Sequence, residues 1–225
     1  MRGDPTQRKI ALVFTADEYG EGSGFILKAL KEQEVKGAFF LTGNYLRNPL
    51  HSSAVKQMIT DGHYIGPHSD QHLLYCDWDN RDSVLVSRSQ FREDLTANYR
   101  ELERRGISAR TASLFMPPFE WYNRTVAEWA GAMGVQLVNF TPGLRTPADY
   151  TYPQMGARYL PSQAIYRQVL DYEEKHPGGL NGFILLVHAG TDPRREDKFY
   201  HMLPELITAL KARGYEFERL DQLVQ

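Results

Sequence analysis

Short apolar runs alternate with helical stretches about seven times along this chain, and no other feature constrains its fold as strongly. Ile10-Ala11-Leu12-Val13-Phe14 leads through a Gly-rich turn, Gly20 to Gly24, into Phe25 to Leu30 with helical spacing. Gly37 to Gly43 reads as the next strand and Ser53 to Thr60 as the next helix. Ser52 or Ser53 is its expected cap and Asp61-Gly62 its stop. His63 to Gly66 is a third short strand. From Ser89 to Arg105, Phe91, Leu95, Tyr99 and Leu102 recur at helical spacing until Gly106. Ala112 to Met116 is a strand broken by Pro117-Pro118; Asn123 caps a helix from Thr125 to Met133, and Val135 to Phe140 follows as a strand. Thr141 to Leu160 is Pro-rich and aperiodic, which predicts a long loop, a place where function often resides. A helix from about Ser162 to Lys175, the apolar strand Phe183 to His188, a helix from about Lys198 to Arg213 and a strand from Tyr215 to Leu220 complete the chain. This rhythm predicts an α/β fold: a parallel sheet covered by helices, either open and doubly wound or closed into a barrel. With no linker, low-complexity tract or repeat, residues 1–225 read as one domain, residues 1–9 being an N-terminal extension.

Composition narrows the function classes. A net charge of −2 argues against a nucleic-acid or anionic-membrane surface. No run of eighteen apolar residues exists, so no membrane span is expected. Cys76 stands alone, which excludes an internal disulfide. The first nine residues lack an apolar signal core, which fits a cytoplasmic protein, or a secreted or periplasmic one whose signal peptide has been removed.

In parallel βα folds the working residues sit at the carboxyl ends of strands, and here those ends are chemically loaded. Strand one ends in Asp17-Glu18, strand three in His68-Ser69-Asp70-Gln71-His72, strand four in Met116-Pro117-Pro118-Phe119-Glu120, and the late apolar strand in His188. Seven histidines in 225 residues give about 0.2 such His-x-x-x-His pairs by chance, so that spacing alone is weak. If Pro67 opens a helical turn, His68 and His72 lie one above the other and can converge on a cation. Individually, Asp17-Glu18 suits a solvated strand end equally well, and His188 suits a satisfied core histidine better. Jointly, two histidines and a carboxylate suit a zinc site with an open position, and a further carboxylate and histidine supply base and acid.

With these pieces placed, the chain resembles the polysaccharide deacetylases of carbohydrate esterase family four, the NodB-homology fold, from Ile10 to Leu223. Thr15-Ala16-Asp17-Glu18 matches that family's Thr-Phe-Asp-Asp; His68-Ser69-Asp70-Gln71-His72 matches His-Ser-x-x-His; Met116-Pro117-Pro118-Phe119 matches Arg-Pro-Pro-Tyr/Phe; Leu186-Val187-His188 matches Leu-x-His. The resemblance implies a distorted (β/α)7-type barrel and metal-dependent removal of acetyl groups from an N- or O-acetylated poly- or oligosaccharide. It implies Asp17 as general base, His188 as general acid, and Glu18, His68 and His72 as ligands of a divalent metal. That metal is Zn²⁺ by expectation, with Co²⁺, Ni²⁺ or Mn²⁺ as alternatives. It further implies that the Phe119 backbone N–H binds the oxyanion and that Leu186 lines the pocket for the acetyl methyl group. Trp121, Tyr122 and Tyr150 are candidates for stacking on sugar rings, although packing into the core accounts for Trp121 and Tyr122 nearly as well. Two departures stand out: Glu18 replaces an Asp, and Met116 replaces the Arg that orients the base, leaving Arg145, Arg194 and Arg195 as candidate substitutes. The family's partner for the catalytic histidine has no counterpart near Phe140 to Arg145, and Asp149 or Asp192 is the expected replacement. The departures motivate a second reading, a sugar-binding pseudoenzyme, and relatives of the resembled fold that act on small cyclic amides suggest a third, a metal-dependent hydrolase of another acyl or C–N bond.

Overall fold

The computed structural model describes all 225 residues. In chain order its elements are β1 (Lys9–Ala16), α1 (Ser23–Glu32), β2 (Ala38–Leu41), α2 (Gly43–Arg47), α3 (Ser52–Thr60), β3 (Tyr64–Pro67), α4 (Arg88–Arg104), β4 (Leu114–Phe115), α5 (Arg124–Ala132), β5 (Gln136–Leu137), α6 (Ser162–Lys175), β6 (Phe183–His188), α7 (Leu203–Ala212), β7 (Glu216–Phe217) and α8 (Leu220–Leu223). The main sheet runs β3-β2-β1-β6, with β7 joined to the start of β1, and every ladder is parallel. β4 and β5 form a separate parallel pair. Single backbone–backbone bonds bridge the gaps, from Met116 N–H to the Pro67 carbonyl (3.3 Å) and from Thr141 N–H to the Ile184 carbonyl (3.0 Å). The curve therefore closes as a distorted barrel with helices outside, which excludes the open doubly wound alternative.

Side chains alternate across a strand with period two, and that alternation builds two cores. Ile10, Leu12 and Phe14 of β1 join Phe39, Phe183, Leu185 and Val187 in the large outer core beneath the helices. Ala11 and Val13 join Phe40, Leu114, Met116, Val138, Ile184 and Leu186 in a smaller inner core. Continuing the inner column one step upward reaches Thr15, Thr42, His68 and His188, so the barrel's apolar plug gives way to polar groups at its carboxyl rim.

Several local expectations need revision. α2 is an additional helix, started by Thr42, whose hydroxyl accepts from Tyr45 N–H at 3.1 Å. His51 is the residue before α3, and Ser52 and Ser53 are already helical, because a 3₁₀ turn over Pro49–His51 feeds the helix directly. The 141–160 segment holds two 3₁₀ helices, Thr146–Tyr150 and Pro153–Arg158. The last strand stops at Phe217 and Leu220 starts α8. Asn123 caps α5 as expected, its side chain accepting from Val126 N–H at 3.0 Å.

At the opposite end of the barrel, burial pushes His63 down to about 4, with Lys36 adding to the effect. Its Nδ1 accepts from Gly37 N–H at 3.1 Å. A histidine depressed in the fold binds its proton more readily when unfolded. Its contribution is thus complete above about pH 6.5 and is lost as pH falls toward 4, up to about 3 kcal/mol. His63→Gln should flatten the urea midpoint between those pH values; an unchanged slope would refute this origin.

Candidate active site

Asp17 follows β1 and is half-buried at the rim. Its Oδ1 accepts from Thr42 Oγ1 at 2.8 Å and from Asn44 Nδ2 at 3.2 Å. Those two neutral donors orient the carboxylate; no arginine reaches it. Arg194 pairs with Asp192 at 2.5 Å and Arg145 donates to the Arg158 carbonyl at 3.2 Å. Arg195 is fully buried and serves the 146–160 segment, donating to the carbonyls of Thr151 and Leu160, to Ser162 Oγ (2.8 Å) and to Asp197 (3.2 Å). At the family's arginine position, Met116 is packed in the inner core.

No helix carries the histidine pair. Pro67 is the last residue of β3, and Ser69 and His72 take left-handed backbone angles, φ 78° and 55°. The rings meet all the same, with centroids 5.1 Å apart. α4 holds this loop in place through two buried polar side chains. Asn98 accepts from His68 N–H at 2.9 Å and donates to the Leu41 carbonyl at 3.1 Å. Asp94 accepts from Gln71 N–H at 3.0 Å and Tyr75 Oη at 2.6 Å. Nδ1 of His68 lies 2.8 Å from the Met116 carbonyl, so it carries the proton and the Nε2 lone pair faces the cleft. Burial lowers His68 far below the ordinary histidine range, with His72 adding to the effect, and burial lowers His72 as well. Both rings are therefore neutral at neutral pH.

Facing them, His188 ends β6. Asp149, almost fully buried, accepts from His188 Nδ1 at 2.6 Å and from its backbone N–H at 2.8 Å. Burial alone would lower this imidazole; the charge and hydrogen bond of Asp149, with the charge of Glu120, outweigh it and raise it to about 9. Asp149 thus takes the role left open between it and Asp192. Glu120 is the residue that sequence reasoning passed over. Burial raises its carboxyl to about 7, Asp149 pushing the same way and His188 against. Its presence after Pro-Pro-Phe was visible in the chain, but its direction depends on consecutive left-handed residues, Phe119 (φ 58°) and Glu120 (φ 53°).

Asp17, His68, His72, Phe119, Glu120, Tyr150 and His188 all line one cleft of about 750 Å³. Glu18 is at its outer edge, exposed, with no hydrogen bond or ion pair, because it falls one residue out of phase with the inner column. Leu186 is fully buried in the inner core beneath His188 and forms no wall of the cleft, which corrects its expected place. Trp121 and Tyr122 also turn away: Trp121 donates to the Asp77 carbonyl at 3.1 Å and Arg81 lies over both rings. Tyr122 packs against the outer core, whereas Trp121 lies beside Trp78, with ring centroids 5.5 Å apart. Exposed aromatic faces at the cleft belong to Trp78, Phe119 and Tyr150.

No three His, Asp or Glu side chains converge closely enough to form a ready metal site. The donor chemistry nonetheless fits a divalent cation: two neutral imidazoles and two carboxylates, with His72 Nδ1 4.0 Å from Asp17 Oδ2 and His68 Nε2 4.0 Å from Glu120 Oε1.

This barrel, with histidine pair, acidic strand end and opposed His–Asp pair around one rim, matches one class of proteins. The polysaccharide deacetylase model matches residues 2–138, more than half of the chain. The chain belongs to that family. It is 26% identical over 227 residues to the peptidoglycan-N-acetylmuramic acid deacetylase PdaA of Bacillus subtilis, covering 99% of this chain and 73% of PdaA. The solved PdaA structure superposes with a TM-score of 0.71 at 23% identity, covering 99% of this chain and 82% of that one. A family 4 pseudoenzyme from Bacillus anthracis gives 0.73 at 20% identity, over 100% and 68% of the two chains. An acetyl xylan esterase from Clostridium thermocellum, solved with a cobalt ion, gives 0.71 at 22% identity, over 96% and 89%. No helix is long and apolar enough to cross a membrane.

Proposed function

We propose that this protein is a metal-dependent deacetylase hydrolysing N- or O-acetyl groups of a poly- or oligosaccharide, with Asp17 as general base and His188 as general acid. The observation that carries this reading is the opposition of two oriented groups across one cleft. Asp17 is aimed by Thr42 and Asn44, and His188 is held protonated by Asp149. A divalent cation on His68 and His72, Zn²⁺ by preference, supplies Lewis-acid polarisation of the acetyl carbonyl and a more acidic water. Asp17 takes the proton of the attacking water. The Phe119 N–H, which has no acceptor within the chain, donates to the oxyanion. His188, its Nδ1 occupied by Asp149, delivers the Nε2 proton to the departing amine or alkoxide, leaving acetate and a free amine or hydroxyl. Trp78, Phe119 and Tyr150 offer faces for sugar stacking.

Purified protein incubated with acetylated chitooligosaccharide, xylan and peptidoglycan should release acetate, EDTA should abolish the release, and Zn²⁺ should restore it. No acetate from any of them with zinc added would overturn the reading. Saturable sugar binding without hydrolysis, unchanged by Asp17→Ala, would favour the pseudoenzyme alternative.

A further inference from the structure

We infer that Arg47 is the positioning residue that aims the Asp17 base, acting through the side-chain amide of Asn44. The inference deepens the reading above and rests on it. No arginine touches Asp17, but one stands directly behind its partner. Asn44 and Arg47 lie three apart on α2, on one face of the helix. Asn44 Nδ2 donates to Asp17 Oδ1 at 3.2 Å, and Arg47 Nη2 donates to Asn44 Oδ1 at 2.9 Å. Neither residue lines the cleft, so neither meets the substrate there.

Three observations give this chain of bonds its direction. An amide can turn either end toward a carboxylate, and only its nitrogen end donates. Arginine has donors and no acceptor. The end of Asn44 that meets Arg47 is therefore the oxygen, which leaves the nitrogen for Asp17. Next, Arg47 is itself fixed. Its Nη1 and Nη2 reach the two oxygens of Asp70 at 2.5 and 3.2 Å, and Nη1 lies 3.6 Å from Glu101. Asp70 is only 5% exposed, and a buried carboxylate is costly to leave without its cation. The planar fork of a guanidinium lets one residue clamp Asp70 and reach Asn44 at once. Finally, the backbone closes the frame. The N–H groups of Gly43 and Asn44 donate to the carbonyls of Ser69 and Asp70, each at 3.1 Å. A Cβ at Gly43 would lie 1.8 Å from Asp70 Oδ1, so only glycine admits this approach. Asp17 is thus tied, by way of Asn44 and Arg47, to the loop that carries His68 and His72.

Arg47→Ala would strip Asp70 of its cation and endanger the fold, so the test uses Arg47→Lys, which keeps the charge but lacks the fork. Acetate release from acetylated chitooligosaccharide, xylan and peptidoglycan is measured in a double-mutant cycle with Asn44→Ala. Asn44→Ala should lower kcat roughly 10–100-fold and Arg47→Lys about tenfold, each with KM within about threefold of wild type, the loss expected of a misaimed group. In the Asn44→Ala background, Arg47→Lys should cost less than about twofold more. An equal loss in both backgrounds would make Arg47 a support of the histidine loop instead, and full kcat in Arg47→Lys would remove it from the site; either result overturns the inference. NMR of the side-chain amides reads the same coupling without turnover. The Asn44 Nδ2 protons, assigned by their disappearance in Asn44→Ala, should shift and exchange faster with solvent in Arg47→Lys. Those of Asn98, which donate to the Leu41 carbonyl, should not move. An unmoved Asn44 amide would also overturn the inference. Absence of acetate release from wild type would instead sink the deacetylase reading, and the amide measurement alone would then decide for or against Arg47.

Discussion

Asp17→Asn should lower kcat/KM for acetate release by roughly 10²–10⁴-fold, the contribution of a positioned general base, while the melting temperature stays within a few degrees of wild type. The substitution keeps the shape and the acceptor oxygen to which Thr42 Oγ1 and Asn44 Nδ2 donate, so the rim should remain as it is. What it removes is basicity. Because the carboxylate is half-buried and held by neutral donors, its loss leaves no unpaired cation behind and unfolding should be little affected. KM should move much less than kcat, since the proton is transferred only in the transition state. A variant that keeps more than a tenth of wild-type kcat would remove Asp17 from the chemistry. Zinc binding offers a control: if it survives in Asp17→Asn, the lost activity belongs to the base and not to the site's assembly.

The parts of this fold that were legible in the chain are those written in local patterns. Apolar runs and helical spacing placed all seven strands and the long helices, and Asn123 announced its cap. Membership of a deacetylase family was likewise readable from short motifs. The site was legible by residue type more than by direction. His68 and His72 do converge, yet a left-handed loop braced by Asn98 and Asp94 brings them together instead of a helical turn. Four of the five non-glycine residues with positive φ (Ser69, His72, Phe119 and Glu120) lie in the two loops that build the site. No composition signal marks such residues, because nothing but glycine prefers that backbone region and tertiary packing must enforce it. Strand parity would have moved Glu18 outward and Leu186 inward beneath His188, had it been carried past the strand end. The partner of His188 was narrowed to Asp149 or Asp192, but only three-dimensional placement separates the one that faces the ring from the one clasped by Arg194.

Asp149→Asn should shift the alkaline limb of the kcat profile downward by at least roughly two pH units and cut activity at pH 8 by roughly 10²-fold or more. In the wild-type fold the imidazolium of His188 persists to about pH 9, so the acid form required for leaving-group protonation is abundant at neutral pH. Burial opposes that charge, and Asp149 is the larger of the two carboxylate contributions that overcome it, Glu120 being the other. Replacing Asp149 by an uncharged isostere lets burial prevail, and the ring should then lose its proton below the ordinary histidine value. The linkage has a definite sign. A histidine raised in the fold contributes stability fully below its unfolded value near 6.5, and that contribution disappears as pH rises through about 9. The variant should therefore lose stability relative to wild type chiefly at low and neutral pH, and the two should converge above pH 9. Titration of the His188 ring by NMR reads the same shift without turnover. A merely structural role for Asp149 would lower activity at every pH and leave the limb in place, and that outcome would refute its action through His188.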